Sequence, residues 1–364
     1  MAPAADAPKF QYKSEGIEIS IPTADEPKVT AFNADTIKAA VKYLDDGAVC
    51  WVREKSCINC HTTGPYMSER PALTKLIGKP SEEVFGDFVK SIPDKPSEES
   101  EKNGVKYYPG SYMSVWRTLG LAEWDKHITG KLSEHTERSL RDMMMRQSDK
   151  GSFVTYGEVE IPHITTDFEL TVQAARAVTT APDWLSGLKD EDLLRRVSRM
   201  KDFLREAKPR NDYERVLRLQ LASYMPELVA PSERAAAIQL LSQKQLPDGG
   251  WSLRRMSDTR SWSNLMSDSV IKLIDGQPDA ASPNSDPYMT AFAIVLLRQN
   301  EIPANDERIQ RGVAWLKREQ RVSGRWWMQS LYRGNYQYIT YIATCQALKA
   351  LALCGELSGS QASK

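Results

Sequence analysis

Two kinds of helical pattern alternate along residues 34–355. One is amphipathic, with apolar residues recurring at helical spacing: ERAAAIQLLSQK (233–244) and ERIQRGVAWLKRE (307–319). The other is small or apolar nearly all round: TTDFELTVQAARAV (165–178), DPYMTAFAIVLLRQ (286–299) and YITYIATCQALKALALCG (338–355). A helix with one polar face sits at a surface, and a helix without one is enclosed. Each amphipathic helix is followed by an enclosed one, so the unit is a hairpin of an outer and an inner helix. Degenerate copies pair NADTIKAAVKYLDDG with ERPALTKLIG (within 34–78) and SEEVFGDFVKSI with GSYMSVWRTLG (within 81–121). A further copy pairs GLKDEDLLRRVSRMKDFLREA with NDYERVLRLQLASYM (187–225). Six hairpins result, beginning near 34, 81, 133, 187, 232 and 305. Such a repeat predicts an all-α domain in which the inner helices close a ring.

Three of the outer-to-inner turns share a template: QSDKGSF (147–153), QLPDGGW (245–251) and QRVSGRW (320–326). Gln is followed four residues later by Gly and six later by an aromatic. Gly permits a tight turn, the Gln amide can bond backbone there, and the ring can stack beneath. These positions are expected to hold the ring together rather than to do chemistry.

In the first hairpin the corresponding turn reads WVREKSCINCHTTGPY (51–66). Cys57, Cys60 and His61 form a Cys-x-x-Cys-His string, which is compatible in principle with a haem, half a zinc site or a redox dithiol. Structural zinc takes four ligands, usually from two short-spaced pairs. The chain has five cysteines and four histidines; Cys345 and Cys354 are nine apart, and no histidine follows residue 163. A thioredoxin-type dithiol belongs in a βαβ context, and the surroundings here are helical. Covalent haem c needs only what is present: thioethers from Cys57 and Cys60, with His61 as proximal iron ligand.

The three Gln/Gly/aromatic turns resemble the QW motifs of squalene-hopene cyclases and related (α/α)6 toroids, over most of residues 34–355. With the haem motif in the first turn, the chain is similar to a bacterial subgroup of cyclase-like proteins that carry a c-type haem there. The resemblance implies an (α/α)6 toroid with covalent haem c in the first outer-to-inner turn. It does not carry over the cyclases' chemistry, because the acidic Asp-x-Asp-Asp string is missing. Nor does it carry over the zinc site of prenyltransferase β-subunits, since no late histidine exists to build it. Fold likeness alone does not supply an activity.

Topology narrows the second axial ligand. All outer-to-inner turns lie on one rim, so the haem is expected there. His127 and His135 lie in an inner-to-outer connection and are expected on the opposite rim. His163 precedes the third inner helix on the haem rim and is the first candidate for distal ligand. Met113, at the start of the second inner helix, is the alternative, with a tyrosine or an open site remaining. The Met143–Met145 run, Cys50, Cys345 and Cys354 are expected to pack. Residues 254–285 are expected to form a lid or mobile surface, and 97–104 a solvated loop.

Lys plus Arg and Asp plus Glu each number 48, so no net field points to nucleic acid. No run of 18 apolar residues spans a membrane. The opening MAPAADAPKF has the texture of a mature N-terminus behind an added Met, and c-type haem is attached outside the cytoplasmic membrane. The expectation is therefore an exported, periplasmic chain: an extended segment at 1–33, one toroid at 34–355 and a disordered tail at 356–364. Its expected role is electron transfer with a redox partner protein. The alternative is a haem enzyme or gas or small-molecule sensor whose open distal site faces an apolar cavity able to take a hydrophobic small molecule. A binding module with an incidental haem is the third class.

Overall fold

The computed structural model describes residues 10–55, 57–59, 61–95, 98–102, 105–107, 109–155, 166–262, 267–331 and 338–357. A short antiparallel hairpin, β1 (Phe10–Ser14) and β2 (Ile17–Ser20), precedes α1 (Ala34–Lys55) and α2 (Thr63–Glu69). There follow a helical turn α3 (Thr74–Ile77), α4 (Glu82–Lys90), the strands β3 (Ser100–Lys102) and β4 (Val105–Tyr107), α5 (Ser111–Trp124) and α6 (Glu134–Met145). The chain continues through α7 (Asp167–Thr180), the turn α8 (Trp184–Gly187), α9 (Glu191–Glu206), α10 (Asp212–Tyr224) and α11 (Pro231–Lys244). It ends with α12 (Asp268–Asp275), α13 (Pro287–Gln299), α14 (Glu307–Glu319) and α15 (Tyr338–Leu353).

The inner helices form a closed cycle. Helix α2 touches α5, α5 touches α7, α7 touches α10, α10 touches α13, α13 touches α15, and α15 returns to α2. Around them stand α1, α4, α6, α9, α11 and α14. The two patterns in the sequence match these two layers. In α9 the buried residues are Leu193, Val197, Met200 and Leu204, a single stripe, whereas in α13 every residue from Pro287 to Leu297 is buried.

The three Gln/Gly/aromatic turns are ties between neighbouring outer helices. Gln147 Nε2 donates to Gly151 O in its own turn (3.1 Å) and to Arg196 O in α9 (2.9 Å). Gln245 repeats this with Gly249 O (2.8 Å) and Arg308 O in α14 (2.9 Å). Gln320 does so with Gly324 O (3.2 Å) and Thr36 O in α1 (2.9 Å), closing the last hairpin onto the first. Both large rings hang on the preceding outer helix: Trp251 Nε1 donates to Leu241 O and Trp326 Nε1 to Leu316 O, each at 2.7 Å. The N-terminal segment strengthens the last seam. Val29 N donates to Gln320 O and Val322 N to Pro27 O, both at 2.9 Å, and Arg325 donates to Ser20 O at 2.5 Å.

Several boundaries differ from expectation. The first inner helix is not ERPALTKLIG (69–78) but Thr63–Glu69, directly after His61. Pro71 lacks a donor and restricts the residue before it, so only a 3-10 turn (Pro71–Leu73) and α3 follow. Within the expected loop 97–104, Ser100–Lys102 form β3 of a small strand pair, while 97, 103 and 104 lie outside the described residues. The extended segment at 1–33 contains the β1–β2 hairpin. At the other end, Glu356 pairs with Lys317 and Leu357 is buried, so ordered chain passes the expected start of the tail. Residues 358–364 lie outside the described residues.

Within 254–285 the described residues are buried at Met256, Trp262 and Ile274, while most of 267–285 is exposed or half-buried. The segment holds two 3-10 turns and α12. Trp262 is 1% exposed and meets Tyr213 edge-on at 5.6 Å, while Asn211, the cap of α10, donates to Ser261 O at 2.9 Å. Met143, Met144 and Cys345 are buried as expected, and Cys50 is buried against Ser14 Oγ at 3.1 Å, whereas Met145 is exposed and Cys354 only half-buried. Burial raises the Cys50 and Cys345 thiols above their usual pKa, which keeps them protonated and inert.

Candidate cofactor turn and the ring axis

The turn that carries the cysteines is held from both sides. Trp51 Nε1, near the end of α1, donates to Cys57 O at 2.9 Å. Thr62, the residue at the cap position of α2, makes no capping bond with its side chain. Asn59 takes that role: its Oδ1 accepts from Thr62 N (2.7 Å) and Thr63 N (3.0 Å), and its carbonyl accepts from Gly64 N (2.8 Å). Asn59 N donates in turn to Thr63 Oγ1 at 3.2 Å. The Thr62 hydroxyl meets Tyr12 OH at 2.9 Å, so β1 also braces the turn. Gly64 is required by space. A Cβ there would lie 2.5 Å from Asn59 O and 3.2 Å from the Trp116 ring.

Within this frame His61 is 7% exposed and Cys57 is a half-buried free thiol. Cys60 and His163 lie outside the described residues. Among the described residues no group of three His, Cys, Asp or Glu side chains is placed to chelate a metal ion. Of the Cys-x-x-Cys-His string the structure therefore describes a half-buried thiol at Cys57 and a buried imidazole at His61.

His127 and His135 stand after α5 and at the start of α6, at the end of α5 away from the turn. His135 is exposed, and His127 Nε2 lies 3.2 Å from Glu123 Oε2. Neither is brought to His61. Met113 lies in the first turn of α5, 38% exposed, at the N-terminal end of an inner helix.

The ring axis is polar. Arg176 in α7, 3% exposed, donates to Glu69 of α2 (2.7 Å), to Glu123 of α5 (2.6 and 3.0 Å) and to Ser68 O (2.5 Å). Lys349 of α15 reaches the other Glu69 oxygen at 2.6 Å. Two carboxylates and two cations thus balance, tying four inner helices. Further along, Tyr213 OH donates to Glu169 Oε1 (3.0 Å) and meets Tyr288 OH (2.9 Å). These groups, with Gln173, Gln220, Gln346 and Trp116, surround a cavity of about 10 Å3, counted as space open to the centre of a water. That is the lower limit for one water molecule. An apolar cavity was expected for the enzyme alternative; the described axis instead is filled by paired charges and amides.

None of these axial residues was singled out in the sequence, although a signal existed. Glu169 and Arg176 interrupt TTDFELTVQAARAV, and Lys349 interrupts ALKALAL. A charge on a helix with no solvent face must find its partner inside.

The axial carboxylates set an acid limit. Burial pushes Glu123 upward, but Arg176, His127 and Lys349 outweigh it and bring its pKa to about 2; Glu69 is lowered for the same reason, against the same burial. A lowered folded-state pKa adds stability that is complete above the unfolded value near 4.5 and is lost as pH falls toward 2. Urea midpoints are expected to drop between pH 4.5 and 2. Glu123→Gln should flatten that slope, and a wild-type midpoint constant across this window would contradict the assignment.

No family model matches the chain, and no curated protein matches it. Solved structures do. Apo MstE from Scytonema, a type II terpene cyclase, aligns with TM-score 0.48 at 13% identity, over 89% of this chain and 99% of that one. The ent-copalyl diphosphate synthase from Streptomyces platensis aligns with TM-score 0.47 at 15% identity, over 80% of this chain and 50% of that one. This chain therefore spans about half of the synthase. A glycosidase aligns with TM-score 0.49 at 12% identity, over 89% and 98%. At these identities and scores the likenesses carry no argument about chemistry.

Proposed function

We propose that the chain is an exported monohaem c-type electron-transfer protein built on an (α/α)6 toroid. One observation carries the reading. In the first hairpin, the place of the Gln/Gly/aromatic tie is taken by an Asn59-capped turn that buries His61 and leaves Cys57 half-exposed. Covalent haem would supply a one-electron iron couple at the rim. The chain's own part is to hold the turn around Cys57 and His61 still, through Trp51, Asn59, Thr63 and Tyr12, so that little rearranges when the charge changes. The axial cavity beside Trp116, Glu169, Gln173, Tyr213 and Tyr288 is polar and, at about 10 Å3, too small for a hydrophobic substrate. A redox partner protein would meet the rim that carries the turn.

Produced in a host with a cytochrome c maturation system, the denatured protein should keep haem through acid extraction and show the mass of one haem adduct. Cys57→Ala or Cys60→Ala should leave the cofactor loosely held or absent. An unmodified polypeptide from such a host would sink the reading.

A further inference from the structure

We infer that the ring axis binds one ordered water molecule between Gln346 of α15 and the Gln173–Gln220 pair of α7 and α10. The water braces the ring across its diameter, independently of the cysteine-bearing turn and of any cofactor. In the cycle α2, α5, α7, α10, α13, α15, helices α7 and α15 stand opposite each other and meet only through the axis. The amides of Gln173, Gln220 and Gln346 line the axial cavity, and the three residues are only 7%, 5% and 6% exposed. Glutamine is seldom enclosed, because its amide brings two donors and an acceptor that need partners.

Gln173 Nε2 donates to Gln220 Oε1 at 3.2 Å, which satisfies one end of each amide. The other ends, Gln173 Oε1 and Gln220 Nε2, receive no bond from the described residues. Gln346 Oε1 is fully enclosed and has no partner among the described residues either. An enclosed polar group without a hydrogen bond is costly and rare in native proteins. The cavity between these amides, about 10 Å3, admits the centre of one water and nothing larger. Its two hydrogens go to Gln346 Oε1 and Gln173 Oε1, and its oxygen accepts from Gln220 Nε2. Three bonds are the usual number for a buried water. On the same wall Glu69 is already balanced by Arg176 and Lys349, so it does not call for a cation in place of the water.

The test uses the full chain as wild type, Gln346→Leu, Gln173→Leu and the double variant. A high-resolution crystal structure of wild type should show a density peak in the cavity. That peak should lie at hydrogen-bond distance from Gln346 Oε1 and from Gln173 or Gln220. Oxygen-17 relaxation dispersion, which counts long-lived internal waters, should lose one water in Gln346→Leu, a change that keeps the side chain's size and removes the acceptor. Each single variant should lower the melting temperature. The double variant should lose less than the sum, because either change already releases the water. The inference is overturned by a wild-type crystal structure with no peak there, or with side chains closed over the cavity. An unchanged relaxation amplitude in Gln346→Leu, or additive losses in the double variant, overturns it equally. If the variants do not fold, the wild-type crystal structure decides alone.

Discussion

Arg176→Met is expected to cost about 3–5 kcal/mol, the range for breaking a buried ion pair by removing one partner. Arg176 is the cation shared by Glu69 and Glu123, both enclosed, and it also satisfies Ser68 O. Its loss leaves Lys349 to serve Glu69, with Lys349 and the surface His127 as the remaining cations acting on Glu123. Adding Glu123→Gln to Arg176→Met should restore part of the loss, because the second change removes the stranded charge. The two single effects should thus fail to add, as they do for residues in one network. Denaturant melts of the four proteins measure this. A cost below about 1 kcal/mol for Arg176→Met, the scale of a solvated pair, would show that the axis is wet and the pairing incidental.

The other large effect is expected at the seam between the last hairpin and the first. Trp326 is wholly buried and hangs from Leu316 O; truncating such a ring costs about 3–5 kcal/mol. Gly324 is a separate test of the same seam. Its φ is +89°, and a Cβ there would lie 2.3 Å from the Ala39 and Ala40 backbone of α1, so Gly324→Val must push the two helices apart. Trp326→Ala should lower the melting temperature and, under the proposed haem reading, leave the spectrum unchanged, since the hydrogen bonds of Trp326 go to Leu316 and Thr344. A changed spectrum with an unchanged melting temperature would contradict the structural role of the tie.

What the sequence made legible follows the reach of each interaction. The Gln/Gly/aromatic turns could be read because half of each tie is local: Gln to the Gly carbonyl four residues on, with Gly at positive φ. The other half could not, because Gln320 reaches Thr36 across 284 positions. Inner and outer layers were legible from periodicity, yet the first inner helix was misplaced. Its apolar run is short, and the helix-like spacing of 69–78 hides the break imposed by Pro71. The role of Asn59 also escaped, since Thr62 stands where a capping residue is expected and Asn59 acts from three positions earlier. The axial charges were missed for a different reason. Charged residues read as surface unless the helix bearing them is known to be enclosed, and that follows only from the closed ring.

The cycle from α2 through α15 back to α2 has a further consequence for how such a chain can change over time. An open solenoid can gain or lose a unit at either end, and it needs polar end units to stay soluble. Here every hairpin has two neighbours and none is terminal. Duplication or deletion of one hairpin would leave a gap or an overlap in the circumference, with α15 no longer meeting α2. The number of hairpins is thereby fixed by geometry, and novelty is channelled into the connections, where the long segment before α13 and the cysteine-bearing turn before α2 already depart from the common template.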